Sequence, residues 1–480
     1  MLKKLAGQTA TYGLSSILAR LMGNLLLPLQ TGRLSLNDFS VLSEALAWAA
    51  LLSVLFPLGL ETALFRFSNE TPDEKDKTEN QIISFQIFCA AALAFPALLF
   101  FHWCMPVLDS AMLLVLVSTL ILDSIQGIFM ASLRNRQASL AFLKVRLTAI
   151  GLNILLNLFF LSDWSLADQL NPIGLNYRLI LWINLGCTVF SFLPMLMRMR
   201  EFSWKFNEKL NRKLLAFSIP MVGISLVGVG NDILGRVWLE KLCPEQFYPG
   251  IDRNNLIGIY SGAAKVAVFI NLGIQAYRYA ADPFFFSFQE RKDTARYMAS
   301  SFTWFLAAGL FALIGIQCNL DLILQIFLRK PEFLLARDAV FFLLLANLAI
   351  GVYYNLSFWY KFSGRTWWGT LISLSGFVMN ACLNLALVPV LGMNGSALAY
   401  LAGTLLMCLA SWFLGKQAFP VAWEYGKLGM LTTVALAFCL IPYGLPEKGI
   451  LTLAAGILLP VFFAVIVLKI QKIPIRKNAA

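Results

Sequence analysis

The sequence predicts an all-α polytopic membrane protein of about fourteen transmembrane helices. Three observations carry that prediction. Of 480 residues, 59% are hydrophobic and 13% charged, with a mean hydropathy of +0.72; a soluble domain carries about 25% charged residues. Apolar runs of about 20 residues, enough to cross a bilayer as helix, recur along the whole chain. Lys and Arg concentrate in alternate connecting loops, as they do when one side of a membrane retains them. The short alternating strands of a membrane β-barrel are missing from the pattern.

The predicted spans run over 9–31, 40–65, 80–104, 110–133, 143–161, 176–197, 212–240, 256–282, 297–317, 337–362, 365–390, 394–419, 426–444 and 447–469. Lys3 and Lys4 before the first run resemble a signal peptide, but the run contains Arg20 and no small-x-small cleavage site, so a retained helix is expected. With the N-terminus placed in the cytoplasm, 27 of the 38 Lys and Arg residues fall in inside segments and 8 outside; the other three are Arg20, Arg236 and Lys265, within spans. That split predicts an even number of helices, with both termini cytoplasmic. The net charge of +12 follows the same topology, which argues against a nucleic-acid surface. No loop is long enough for a soluble catalytic domain.

An internal repeat organises the spans. Residues 133–161 align without gaps on 360–388, so that Asn153 and Asn157 match Asn380 and Asn384, and Arg134 matches Lys361. The copies lie six spans apart and therefore share one membrane orientation. Two parallel six-helix lobes follow, a plan that transporters use. The expected boundaries are 1–205 and 206–421, with 422–480 adding two helices and a tail.

Several segments resemble one family. They are Ala6-Gly7-Gln8-Thr9-Ala10-Thr11-Tyr12-Gly13-Leu14-Ser15-Ser16, Gly59-Leu60-Glu61-Thr62-Ala63-Leu64-Phe65-Arg66-Phe67, and the stretch from Gly258-Ile259-Tyr260-Ser261 to Gln275-Ala276-Tyr277-Arg278-Tyr279 and Asp282-Pro283-Phe284-Phe285. They are similar to bacterial polysaccharide flippases of the Wzx type, grouped with lipid II flippases and MATE exporters in the MOP superfamily. The resemblance implies a MATE-like pair of lobes around a cationic cavity. It also implies alternating-access transfer of an undecaprenyl-pyrophosphate-linked oligosaccharide, for O-antigen, capsule or exopolysaccharide, with other polysaccharide-assembly proteins as partners. Lipid II flippases use cavity arginines from the first and eighth helices. Arg20 sits comparably here, whereas the eighth span offers Lys265, a point charge where Arg is bidentate.

Charges at membrane depth cost about 2.5–3.5 kcal/mol and persist where they face a partner or a wet cavity. Arg20, Glu44, Asp123, Asp232, Arg236 and Lys265 are so placed. Arg20 reads as a pyrophosphate anchor or as an ion pair with Glu44; Glu44 reads as that partner or as a proton or sodium carrier. Asp232 and Arg236, four apart on one helix face, neutralise each other or open to an anionic substrate; Asn231 beside them suits sugar hydroxyls. Lys265 suits an anion or Asp232. Glu61 near Arg66, and Arg278 near Asp282, read as gates or structural pairs at the cytoplasmic ends. Asp123 has no partner in the sequence and reads as structural or gating. The repeated Asn pairs read as interhelical hydrogen-bonding glue.

The exclusions are as informative. The 8 Cys are scattered without C-x-x-C, so neither a metal site nor a disulfide framework is expected. The only histidine, His102, sits beside Trp103 near a span end, so an intramembrane acyl-transfer enzyme lacks its base. The reading is a transporter with no cofactor, coupled to H+, Na+ or the membrane potential. Its rivals are a MATE-like cation-coupled multidrug exporter and a membrane glycan polymerase or ligase. The exporter calls for a net acidic cavity, and the polymerase for a large outer loop.

Overall fold

A computed structural model describes residues 25–70, 75–136, 138–162, 174–199, 203–287, 294–363, 365–444 and 450–471. Among these residues the chain is helical, with short connections and no strand. Lipid enforces that outcome, because every backbone N–H and C=O must find its partner within the segment. Ten helices are long and apolar enough to cross a membrane. Each predicted span from the second to the fourteenth has a helical counterpart. The first lies outside the described residues except for its end, α1 (Leu27–Arg33).

The second predicted span is broken in two. α2 (Leu36–Leu55) starts at Ser35, whose hydroxyl accepts the Asp38 N–H at 3.0 Å. It ends before Pro57, which has no N–H to continue the ladder. Leu58 (φ 48°) and Gly59 (φ 68°) then turn left-handed before α3 (Leu60–Glu70). Glycine takes that conformation freely; Leu58 takes it at a cost of about 1–3 kcal/mol.

The chain divides into two compact units, residues 1–241 with 245–261, and residues 242–244 with 262–480. In the first, α5 (Ser110–Asn135) is the central helix. It packs on α2, α3, α4 (Lys75–Cys104), α6 (Ser139–Leu161) and α7 (Tyr177–Met199). α8 (Glu208–Leu242) meets α2 through a dry cluster of Ala47, Ile233 and Val237.

The second unit holds α9 (Leu256–Ser287) from Gly262 onward, α10 (Thr294–Cys318), α11 (Leu320–Leu328), α12 (Arg337–Leu356), α13 (Phe358–Phe362), α14 (Trp367–Ala418), α15 (Tyr425–Leu440) and α16 (Ile450–Gln471). α11 matches no predicted span and is too short to be one, since nine helical residues rise only about 13 Å. α14 is a hairpin whose arms meet at Gly392 (φ 56°, ψ −131°). Its arms touch backbone to backbone: a Cβ on Gly403 would sit 2.6 Å from the Gly376 carbonyl oxygen. The last two helices pack on α10, where Gln317 donates to the Tyr443 hydroxyl at 3.3 Å and Asn319 to the Gly456 carbonyl at 3.0 Å.

The repeated Asn pairs make the same local bonds in both units. Asn157 donates to the Asn153 carbonyl at 2.8 Å and side chain at 3.2 Å. Asn384 does the same to Asn380 at 2.9 and 2.7 Å.

Candidate functional site

The first unit contains a cavity with charged and polar groups among apolar walls, lined largely by helices long and apolar enough to cross a membrane. It has two chambers of about 470 and 550 Å³ that share Ser53, Leu120, Asp123, Gln126 and Arg146. α2, α5, α6 and α7 wall the first chamber, and α3 helps close the second.

Its polar lining is built helix by helix. α5 contributes Asp123, Gln126 and Arg134, at spacings that share a face. α6 contributes Arg146 and Asn153, on one stripe of the helix with the apolar Ile150 and Ile154. α7 contributes Asn184, Thr188 and Ser191 in the same way. Thr188 donates to the Asp123 carboxylate at 3.1 Å. Gln126 donates to the Ser191 hydroxyl at 2.9 Å, and Asn153 to the Asn184 side chain at 2.9 Å.

Four charges balance in this space. Arg134 donates to Glu61 at 2.9 Å, with both side chains about one-third exposed (35% and 37%). Glu61 reaches that pair because Gly127 leaves room: a Cβ there would lie 2.7 Å from the Glu61 Oε1. The Arg134 guanidinium also lies 5.3 Å from the Phe65 ring centroid. Arg146 is close enough for its charge to act on both Glu61 and Asp123. Two acids and two arginines leave the cavity near neutrality.

A second acid–arginine cluster sits close by in sequence and differs in kind. Glu79 is fully buried. Ser132 (2.8 Å), Asn135 (2.9 Å) and Arg136 (2.9 and 2.7 Å) all donate to it. Burial works against the Arg136 charge, but Glu79 and Asp76 outweigh it and hold the guanidinium pKa above its ordinary value. This cluster ties α4 to the end of α5.

The structure sorts the predicted residues. Asp123 and Glu61 enter the cavity; Asp123, without a partner in the sequence, is at its centre. Glu61 pairs with Arg134 on α5 rather than with Arg66, because five residues along a helix turn two side chains well apart. Arg66 instead lies over Phe217 (4.9 Å) and Phe67 (5.5 Å). Glu44 accepts from the Trp48 indole at 3.2 Å, with Glu240 and Lys241 of α8 in its field. Asp232 and Arg236 form the i,i+4 pair at 3.1 Å, with Asn231 buried beside them. Lys265 is half-buried in α9. The Arg278 guanidinium lies 4.3 Å from the Tyr354 centroid. Arg20 and the side chain of Asp282 lie outside the described residues. Among the described residues no cluster suited to a metal ion occurs.

Sequence reasoning missed Arg146, Gln126, Asn184, Thr188 and Ser191. Arg146 lies within the predicted span 143–161 but near its start, where it counts with the cytoplasmic basic residues; α6 begins at Ser139, which puts Arg146 about two turns into the helix. The signal was present, since Arg146, Asn153 and Asn157 repeat at helical spacing on α6.

The fold is one already seen. The chain superposes on the lipid II flippase MurJ, inward closed conformation, with a TM-score of 0.73 at 15% identity, covering 95% of this chain and 98% of that one. An inward-facing multidrug resistance MATE family transporter of the MOP superfamily gives 0.63 at 12% identity, covering 86% and 96%. MATE in complex with MaL6 gives 0.52 at 10%, covering 89% and 97%. No family model matches the sequence, and no curated protein matches it. The chain therefore has the fold common to MurJ and the MATE transporters.

Proposed function

We propose that the chain is a flippase that moves a polyprenyl-pyrophosphate-linked oligosaccharide across the inner membrane by alternating access, for surface polysaccharide synthesis. The observation that carries this reading is the cavity around Asp123, set in a fold it shares with a lipid II flippase. Among apolar walls its lining sets amides, hydroxyls and charged groups, the mixture of donors and acceptors that sugar hydroxyls require. Each chamber falls within the ~300–1,000 Å³ range of small-molecule sites. The glycan occupies this cavity. The cations Arg20, Arg236 and Lys265 are assigned to the pyrophosphate by charge alone, whereas Arg146 lines both chambers of the cavity itself. Movement draws on H+, Na+ or the membrane potential, with Asp123 and Glu61 as the acids available to a cation.

The MATE-like exporter reading is favoured by the second superposition, but its cationic drugs call for an acidic cavity and this one is balanced. Drug susceptibility of a deletion strain separates the two. The flippase reading is tested by complementing that strain with Asp123→Ala and Arg146→Ala at equal membrane levels. Surface polysaccharide should fall about tenfold or more, a loss of about 1.4 kcal/mol or more in barrier lowering, with lipid-linked repeat units held in the cytoplasmic leaflet. Full export by both variants would sink the proposal, and accumulation in the outer leaflet would indicate a polymerase.

A further inference from the structure

The second unit has a pocket of its own, separate from the cavity around Asp123. It holds about 280 Å³ between α12, α13, the end of α14 and the start of α15, with Met298 of α10 at its base. Its walls are aromatic: Trp359, Trp412, Phe419, Trp423 and Tyr425. Their polar edges are engaged, with the Trp359 indole donating to Ser411 at 3.1 Å and the Trp412 indole to the Tyr425 hydroxyl at 3.0 Å. Indoles and phenols oriented this way, apolar body inward and polar edge bonded, mark the water–lipid boundary of a membrane protein.

One cation lines this pocket. Lys416 is exposed, 5.9 Å from the Trp412 ring centroid, and no described carboxylate lies within ion-pair distance. The contrast with Lys427 is informative. Lys427 is paired with Glu424 at 3.5 Å, and Glu424 also accepts from Thr303 at 3.1 Å, so that acid is engaged away from Lys416. Leading away from Lys416 along α14, Phe413, Leu409 and Leu405 form an exposed apolar stripe at four-residue spacing. Lys361, Arg365 and Lys427 follow spans ending on the same side by the alternation of the helices, the side where basic residues concentrate.

We propose that this pocket binds the headgroup of an anionic phospholipid. Lys416 takes the phosphodiester, the aromatic walls take the glycerol region, and an acyl chain follows Phe413, Leu409 and Leu405. A basic pocket between helices on the cytoplasmic side is a recurrent form of lipid recognition. The site is independent of the transport reading: it holds or fails whatever the cavity of the first unit carries.

The test is native mass spectrometry of the full chain from detergent, titrated with phosphatidylglycerol or phosphatidylcholine. The wild type should retain phosphatidylglycerol preferentially. Lys416→Glu should abolish that preference, a change of about fivefold in apparent affinity for one interfacial lysine. Lys416→Arg should keep it, and so should Arg212→Glu, a charge change in an exposed helical pair of the other unit. Trp412→Ala should weaken retention of both lipids. An unchanged preference in Lys416→Glu, equal retention of both lipids by the wild type, or displacement of the lipid by inorganic phosphate at equal concentration would each overturn the assignment.

Discussion

Asn153 and its counterpart in the repeat, Asn380, stand in opposite surroundings, whereas Asn157 and Asn384 are both buried. In the first unit Asn153 turns its second contact to Asn184 and lines the cavity. In the second, Asn380 and Asn384 are fully buried, and Asn380 packs against Gly403 where the two arms of α14 touch. The backbone bonds are the same; the neighbours differ. Where the facing helix offers Asn184 and Thr188, the groove stays polar and open. Where it offers Gly403, opposite Gly376 on the arm that carries Asn380, the backbones close over it. The repeat thus preserves a scaffold, while the residue facing it decides whether the scaffold holds a site or a seam.

Three substitutions break this comparison at different depths. Gly403→Val should have the largest effect, because its side chain meets the Gly376 carbonyl; overpacking of this kind costs about 3 kcal/mol, visible as a lowered Tm in micelles. An unchanged Tm would mean that the arms of α14 separate freely. Asn384→Ala removes a buried donor and should cost about 1 kcal/mol, with export by the folded fraction unchanged. A specific export defect at normal stability would place function in the second seam. Asn153→Ala should cost least in stability, about 0.6 kcal/mol, yet should lower export more than Asn384→Ala does. The reverse order of export defects would remove the distinction between cavity and seam.

A second contrast sharpens the first. Glu79 and Glu61 each meet an arginine of α5, two residues apart at Arg136 and Arg134. The Glu79 cluster is buried and satisfied by four donors, so it fixes helices in place. The Glu61 pair faces the cavity, and the Arg134 Nε finds no partner. Glu79→Gln should therefore lower Tm by several degrees, reflecting about 2 kcal/mol for a lost charged hydrogen bond. Glu61→Gln should alter export with little change in Tm. Equal thermal effects would show that both pairs are structural.

Much of the fold was legible because lipid writes it in composition. Span length, loop charge and the repeat each follow from the cost of exposing backbone or charge to hydrocarbon. The break at Pro57–Gly59 and the short α11 were less visible, since both interrupt or extend apolar runs without changing their hydropathy. The site was only half legible. Asp123 draws attention as an expensive charge, but its partner Thr188 and the neighbouring Gln126–Ser191 pair are uncharged and carry no such signal. Arg146 stands inside the predicted span, but near its start a basic residue looks the same whether it faces the cytoplasm or a cavity, so charge placement alone does not single it out.

The most direct test uses cysteines at matched repeat positions in a background without native Cys. Asn153→Cys and Asn380→Cys are treated with a charged, membrane-impermeant thiosulfonate, with and without lipid-linked oligosaccharide. The account predicts rapid labelling at 153 that the substrate suppresses, and no labelling at 380. Equal labelling at both positions, or labelling at 153 that the substrate leaves untouched, would contradict it.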